Sequence, residues 1–112
     1  MTNRSSPPVL PRAPAELVAV AVGGCQVLLA WTEVGIGAIG FRVERATGNS
    51  SCHTFAEIGG VGPHVTAFSD GYAEPRTAYS YRVLAWNPSG DSPPSNVVRV
   101  MTPQADTVLP AE

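Results

Sequence analysis

The sequence predicts an all-β fold: a sandwich of two antiparallel sheets made from seven strands. Three observations carry this reading. Short runs rich in Val, Ile, Phe, Tyr and Trp alternate with clusters of turn residues along the chain. In the clearest run, Ala78 to Trp86, the residues Tyr79, Tyr81, Val83 and Ala85 recur at period two and share one face of a strand. No window of about 12 residues shows a helical apolar stripe free of Gly or Pro. Several strands without a helical pattern bury their apolar faces by packing sheet on sheet.

The elements follow in order. Leu17 to Val22 is the first predicted strand, ended by Gly23 and Gly24. Gln26 to Trp31 is the second, with Val27, Leu29 and Trp31 on one face. Gly35, Gly37 and Gly40 interrupt the chain before the third, Ile39 to Ala46, where Phe41 and Val43 face one way and Arg42 and Glu44 the other. Thr54 to Ile58 is a short fourth strand and Val65 to Ser69, with Phe68, a fifth. Ala78 to Trp86 is the sixth and Asn96 to Met101 the seventh. No internal repeat is present.

Composition sets further bounds. The chain has 112 residues, the size of one ordinary domain. Its 11 Gly and 11 Pro sit between the apolar runs, where a turn-rich β domain needs them. The net charge of −2 leaves no basic face for phosphates, which argues against nucleic acid. No run approaches the ~18 apolar residues of a membrane-spanning helix. Residues 1–12 are rich in Ser and Pro and read as an N-terminal linker or tail. Residues 104–112 read as a C-terminal tail, which leaves 13–103 as the folding unit. Met1 to Leu10 has no apolar segment of the kind a signal peptide requires.

A set of residues in order then becomes recognisable. Pro14-x-x-Leu17, Leu29-x-Trp31 and Gly40-Phe41-Arg42-Val43-Glu44-Arg45 form its first half. Phe68-x-Asp70, Tyr79-Ser80-Tyr81-Arg82-Val83-x-Ala85-x-Asn87, Gly90-x-Ser92, Ser95 and Thr102-Pro103 form the second. Together they resemble a fibronectin type III domain, an immunoglobulin-like sandwich, over residues 13–103. The resemblance implies a core of Leu17, Leu29, Trp31, Phe41, Val43, Phe68, Tyr79, Tyr81 and Val83. It also implies a corner in which the Tyr79 hydroxyl bonds backbone across the turn before its own strand. The family usually has Leu six residues before that Tyr; here Ala73 stands there, and Tyr72 beside it is expected to cover the gap.

The same resemblance implies that the turn before the second strand and the turn after the third lie at one end of the sandwich. Cys25 and Cys52 then become a disulfide candidate, with two free thiols as the alternative. A bridge would close a loop of ~27 residues, contribute ~3 kcal/mol and point to an oxidising compartment.

His53 and His64 are the only histidines, too few for a zinc site of three or four ligands. A catalytic nucleophile needs a base and an orienting partner within reach, and no such arrangement is visible, so no enzyme activity and no cofactor are expected. Asp70, after Phe68 and Ser69, reads as the cap of the next turn. Ser89-Gly90-Asp91-Ser92-Pro93 is similar to the integrin-binding Arg-Gly-Asp-Ser-Pro loop of some family members, with Ser89 replacing the Arg. Its simpler reading is a turn, with Gly90 at positive φ and Asp91 bonding nearby backbone. Trp86 faces away from Tyr79 and Val83, where it either anchors a partner or lies flat on its own sheet. Asn3-Arg4-Ser5 and Asn49-Ser50-Ser51 match the N-glycosylation acceptor pattern.

The expectation is therefore a non-catalytic extracellular interaction or spacer module, of the type III kind found in secreted or surface bacterial proteins. Its protein or carbohydrate partner is unnamed by the sequence. The alternative is a structural subunit of an extracellular filament whose Pro-rich tails pair with neighbouring copies.

Overall fold

A computed structural model describes residues 9–48 and 54–104. Eight strands follow in order: β1 (Ala15–Gly23), β2 (Gln26–Thr32), β3 (Gly40–Thr47), β4 (Ala56–Val61), β5 (Ala67–Asp70), β6 (Ala78–Asn87), β7 (Gly90–Asp91) and β8 (Val98–Met101). One sheet has the order β1-β2-β5. The other has the order β4-β3-β6-β7, with β8 also pairing β6, and every pairing is antiparallel. This is the two-sheet immunoglobulin-like sandwich expected. The addition is β7, a two-residue strand that pairs Trp86 with Asp91 and Asn87 with Gly90 in what reads from sequence as a plain loop.

Alternation in each strand builds the core. β2 buries Val27, Leu29 and Trp31 and exposes the residues between them. Leu17, Phe41, Val43, Ala73, Tyr79, Tyr81, Val83 and Ala85 complete the buried cluster, and the Trp31 ring meets Phe41 edge-on at 5.6 Å. Burying aromatic rings of this size supplies a large share of the apolar driving force, about 25 cal/mol per Å² removed from water. Phe68 is only partly buried and packs against the cluster from the sandwich edge.

That edge explains a strand longer than the sequence suggests. The sequence places the fourth strand over Thr54 to Ile58, yet β4 begins at Ala56 and runs on through Gly59 and Gly60 to Val61. A Cβ on Gly59 would lie 2.6 Å from the tip of the Phe68 ring, and one on Gly60 would lie 2.9 Å from the Phe41 carbonyl. The glycines are there for close approach, not for a reversal.

The segment after β7 cannot form a regular ladder, because Pro93 and Pro94 lack N–H groups. Two serine hydroxyls take over. The Ala85 N–H donates to Ser92 Oγ at 2.9 Å and the Val83 N–H to Ser95 Oγ at 2.9 Å. In return the Ser92 N–H donates to the Ala85 carbonyl and the Ser95 N–H to the Val83 carbonyl. Ser92 and Ser95 are therefore the residues that keep this edge of β6 satisfied without a strand.

The tyrosine corner forms as the resemblance implies: the Glu74 N–H donates to the Tyr79 hydroxyl at 2.7 Å. Its expected cover is corrected. Ala73 itself is buried at 5% exposure and joins the core, whereas Tyr72 is 88% exposed. Ala73 packs within the core cluster, and Asp70 holds the Tyr72 N–H at 3.0 Å, which fixes the turn with the ring outward.

Candidate functional site

The loop singled out from sequence lies at the end of the sandwich where the chain enters. Pro88 and Ser89 turn the chain between β6 and β7, and the Ser89 N–H donates to Asn87 Oδ1 at 2.8 Å. Gly90 adopts φ 135°, a conformation that side chains rarely take. Asn87 also donates from Nδ2 to the Val9 carbonyl at 3.0 Å and to the Gly37 carbonyl at 3.1 Å. One side chain thus joins the incoming segment, the β2–β3 loop and the end of β6.

Little of this loop is free. Leu10 packs 3.1 Å from where a Cβ on Gly90 would stand. Ser92 is 4% exposed and committed to Ala85. Asp91 is exposed but does not bond nearby backbone as expected; its carboxylate accepts from Arg42 Nε at 3.1 Å, across the sheet. The acidic group of the integrin-like pattern therefore sits in an ion pair, and Ser89 supplies no cation beside it.

Trp86 is half-buried on the outer face of the same sheet. Its register partner is Gly40, where a Cβ would fall 2.6 Å from the indole nitrogen, so the ring lies down over the neighbouring strand. The Arg42 guanidinium stands 5.0 Å from the ring centroid. Arg42 is thereby shared between a ring face and the carboxylates of Asp91 and Glu57. The surface formed is a mixed one, a partly accessible indole edge beside a compensated charge cluster.

A polar network at the other end was not read from the sequence. Asp70 on β5 is buried and accepts from Arg45 Nη1 at 2.8 Å and from the Tyr81 hydroxyl at 2.7 Å. Arg45 and Tyr81 belong to the facing sheet, so one carboxylate clamps both sheets. The Arg45 guanidinium also stacks 4.7 Å from the Tyr79 ring centroid. Burial works against the Arg45 charge, but the hydrogen bond and charge of Asp70 outweigh it, and the guanidinium holds its proton more tightly than an ordinary arginine. Burial, reinforced by Asp70, pushes the Tyr81 hydroxyl far above the usual tyrosine range. One signal could have found this network. Arg45 shares parity with Phe41 and Val43, and a cation on an inward face needs a partner.

Cys25 is exposed in the β1–β2 turn and free. Cys52 lies outside the described residues, as do His53 and both glycosylation patterns. The end that holds Cys25 is also the end where β3 leaves the sheet, since Val27 pairs with Asp70 and Asp70 holds Arg45. His64 stands at the opposite end, exposed, with Nδ1 3.1 Å from Glu33 Oε1. The two tails expected to mediate assembly lie largely outside the described residues.

No family model matches the chain. A curated relative, receptor-type tyrosine-protein phosphatase F of Mus musculus, is 32% identical over 93 residues, spanning 83% of this chain and 5% of the relative. The chain thus spans a small fraction of that protein, and the match conveys nothing of its catalysis. Among solved structures, the third fibronectin III domain of human KIAA0343 protein covers the whole chain at 19% identity and a TM-score of 0.77, with 96% of that domain matched. The fibronectin type-III domain of human fibronectin type III domain containing protein 3 is 25% identical, with a TM-score of 0.69, over 90% of this chain and 94% of that one. The fold and its corner define an immunoglobulin-like sandwich module. Within that class, this chain is a fibronectin type III domain. The matches speak to the domain type and not to a bacterial source.

Proposed function

We propose that this chain is a non-catalytic module of an extracellular multidomain protein, one that holds its neighbours apart and presents a side surface to partners. The observation that carries the reading is where the chain enters and leaves. Asn87, the last residue of β6, holds the Val9 carbonyl. Thr102 holds the residues just before β6: the Thr77 N–H donates to its hydroxyl at 2.9 Å, and that hydroxyl donates to the Glu74 carbonyl at 2.6 Å. β6 has 10 residues, so at about 3.3 Å per residue entry and exit lie roughly 30 Å apart, at opposite ends of the sandwich. Both points are bonded to the sandwich, which makes the separation a property of the fold.

Receptor-type phosphatase F, matched over 5% of its length, supports the multidomain and extracellular part of the reading. Small-angle scattering on the chain with a compact reporter domain fused at each end tests it. Two centres separated by the full length of the sandwich are expected. Reporters lying side by side would sink the spacer reading.

A further inference from the structure

The two outer faces of the sandwich differ in chemistry. The face of β3, β4 and β6 is charged and paired within itself: Arg82 donates to Glu44 at 2.7 Å, and Arg42 meets Asp91 and Glu57. The face of β1, β2 and β5 is apolar. Val18 and Val20 are each 56% exposed, Val22 48% and Leu28 44%. The register sets these in rows, Val18 beside Ala30 and Ala67, then Val20 beside Leu28 and Ser69. The result is a ridge along β1 and a hollow over the two alanines, a depression of about 610 Å³ walled by Val18, Val20 and Leu28. Contiguous exposed apolar surface of this kind marks an interaction site.

We propose that this face docks the same face of a second copy of the chain about a two-fold axis. Charge supports a copy as the occupant. The three strands carry two ionisable residues: Asp70 turns inward to Arg45, and Glu16 sits at the rim, accepting a hydrogen bond from Thr32 at 2.9 Å. The opposite rim is closed by Gln26 donating to Ser69 at 2.8 Å. Two such faces meet with no charge in their apolar centres, and the Glu16 carboxylate of each copy stays at the rim, bonded to Thr32. Shape agrees, because a two-fold places the valine ridge of each copy over the alanine hollow of the other, and such contacts are reciprocal.

Area sets the strength. Three strands about 4.8 Å apart and five residues at about 3.3 Å each give a footprint of a few hundred Å². A standard stable interface buries about 800 Å² per partner. The docking is therefore weak and concentration-dependent, and it becomes substantial where copies are held together on one surface or one polypeptide.

Sedimentation equilibrium on the full chain, from about 10 µM to about 1 mM, tests this. Dimer is expected to accumulate toward the upper end. Val20→Lys and Leu28→Lys, both outward-facing and checked by unfolding temperature to be folded, are each expected to weaken it at least ~10-fold. Glu57→Gln on the opposite face is expected to leave it unchanged. A monomer throughout, or a dimer indifferent to both lysines, overturns the proposal. A monomer that binds neutral lipid vesicles through this face would assign it to a membrane and overturn it too.

Discussion

Asn96 is bonded to Leu17 as one strand is to another: the Leu17 N–H donates to Asn96 Oδ1 at 2.9 Å, and Asn96 Nδ2 donates to the Leu17 carbonyl at 3.1 Å. A side-chain amide here completes a ladder position between β1 and the segment leading into β8, closing one edge of the sandwich. Asn96→Leu should lower stability by about 1–3 kcal/mol, because two part-buried backbone groups lose their partners. Denaturant unfolding gives the loss, and faster hydrogen exchange at Leu17 than at Val27 would localise it.

Asp70→Asn should be more damaging. The Arg45 side chain is 20% exposed and would face Tyr79 and Tyr81 without its counter-charge. Breaking such a pair costs about 3 kcal/mol, the lower end for buried pairs because Arg45 keeps some water. The asparagine can still accept from the Tyr72 N–H, so the turn should survive while the two sheets loosen. A loss below about 1 kcal/mol, read by chemical denaturation, would show that the clamp is not a determinant of stability.

The raised Tyr81 pKa has a consequence at high pH. The unfolded chain releases this proton near the usual tyrosine value of 10.0, while the folded chain holds it to higher pH. Above that value the folded state binds more protons than the unfolded one, so stability falls as pH rises. Below it the contribution is fully present. Tyr81→Phe should be less stable than the parent at pH 7, having lost its bond to Asp70, yet show a shallower decline above pH 10.0. Unfolding midpoints across alkaline pH check this; parallel declines would rule it out.

Gly59→Ala tests the close approach at the other edge. The new methyl would fall 2.6 Å from the Phe68 ring, which must swing outward and open the contact between β4 and β5. A cost of about 1–3 kcal/mol is expected. Gly62→Ala, with open space around it, should cost far less. Ring resonances of Phe68 should shift in the first variant and not in the second.

What the sequence made legible is what period-two alternation encodes. Tyr79, Tyr81 and Val83 are buried in β6, and Val27, Leu29 and Trp31 in β2, because a side chain's face follows from its parity alone. The roles of Gly59 and Gly60 were hidden, since a glycine that yields to a ring and one that reverses the chain look alike in sequence. Asp91 was hidden for a different reason: its partner Arg42 is 49 residues away, and local backbone bonding is the nearer expectation. The surface of Trp86 was legible in direction but not in posture, because only the register with Gly40 shows the ring lying down. Asn96 looked like the start of a strand, and its amide replaces the strand instead.

The bonding of Val9 at one end of β6 and Thr102 at the other bears on mechanics. A tensile load applied through the two ends is delivered to opposite ends of the sandwich. Force then runs along the strands, and the ladder bonds between β6, whose end holds Val9, and β8, which leads into Thr102, are strained together in shear, not peeled one after another. Resistance in that geometry is set by the unfolding rate and not by equilibrium stability. Substitutions at the two anchor points would therefore change how the domain bears tension more than they change its melting temperature.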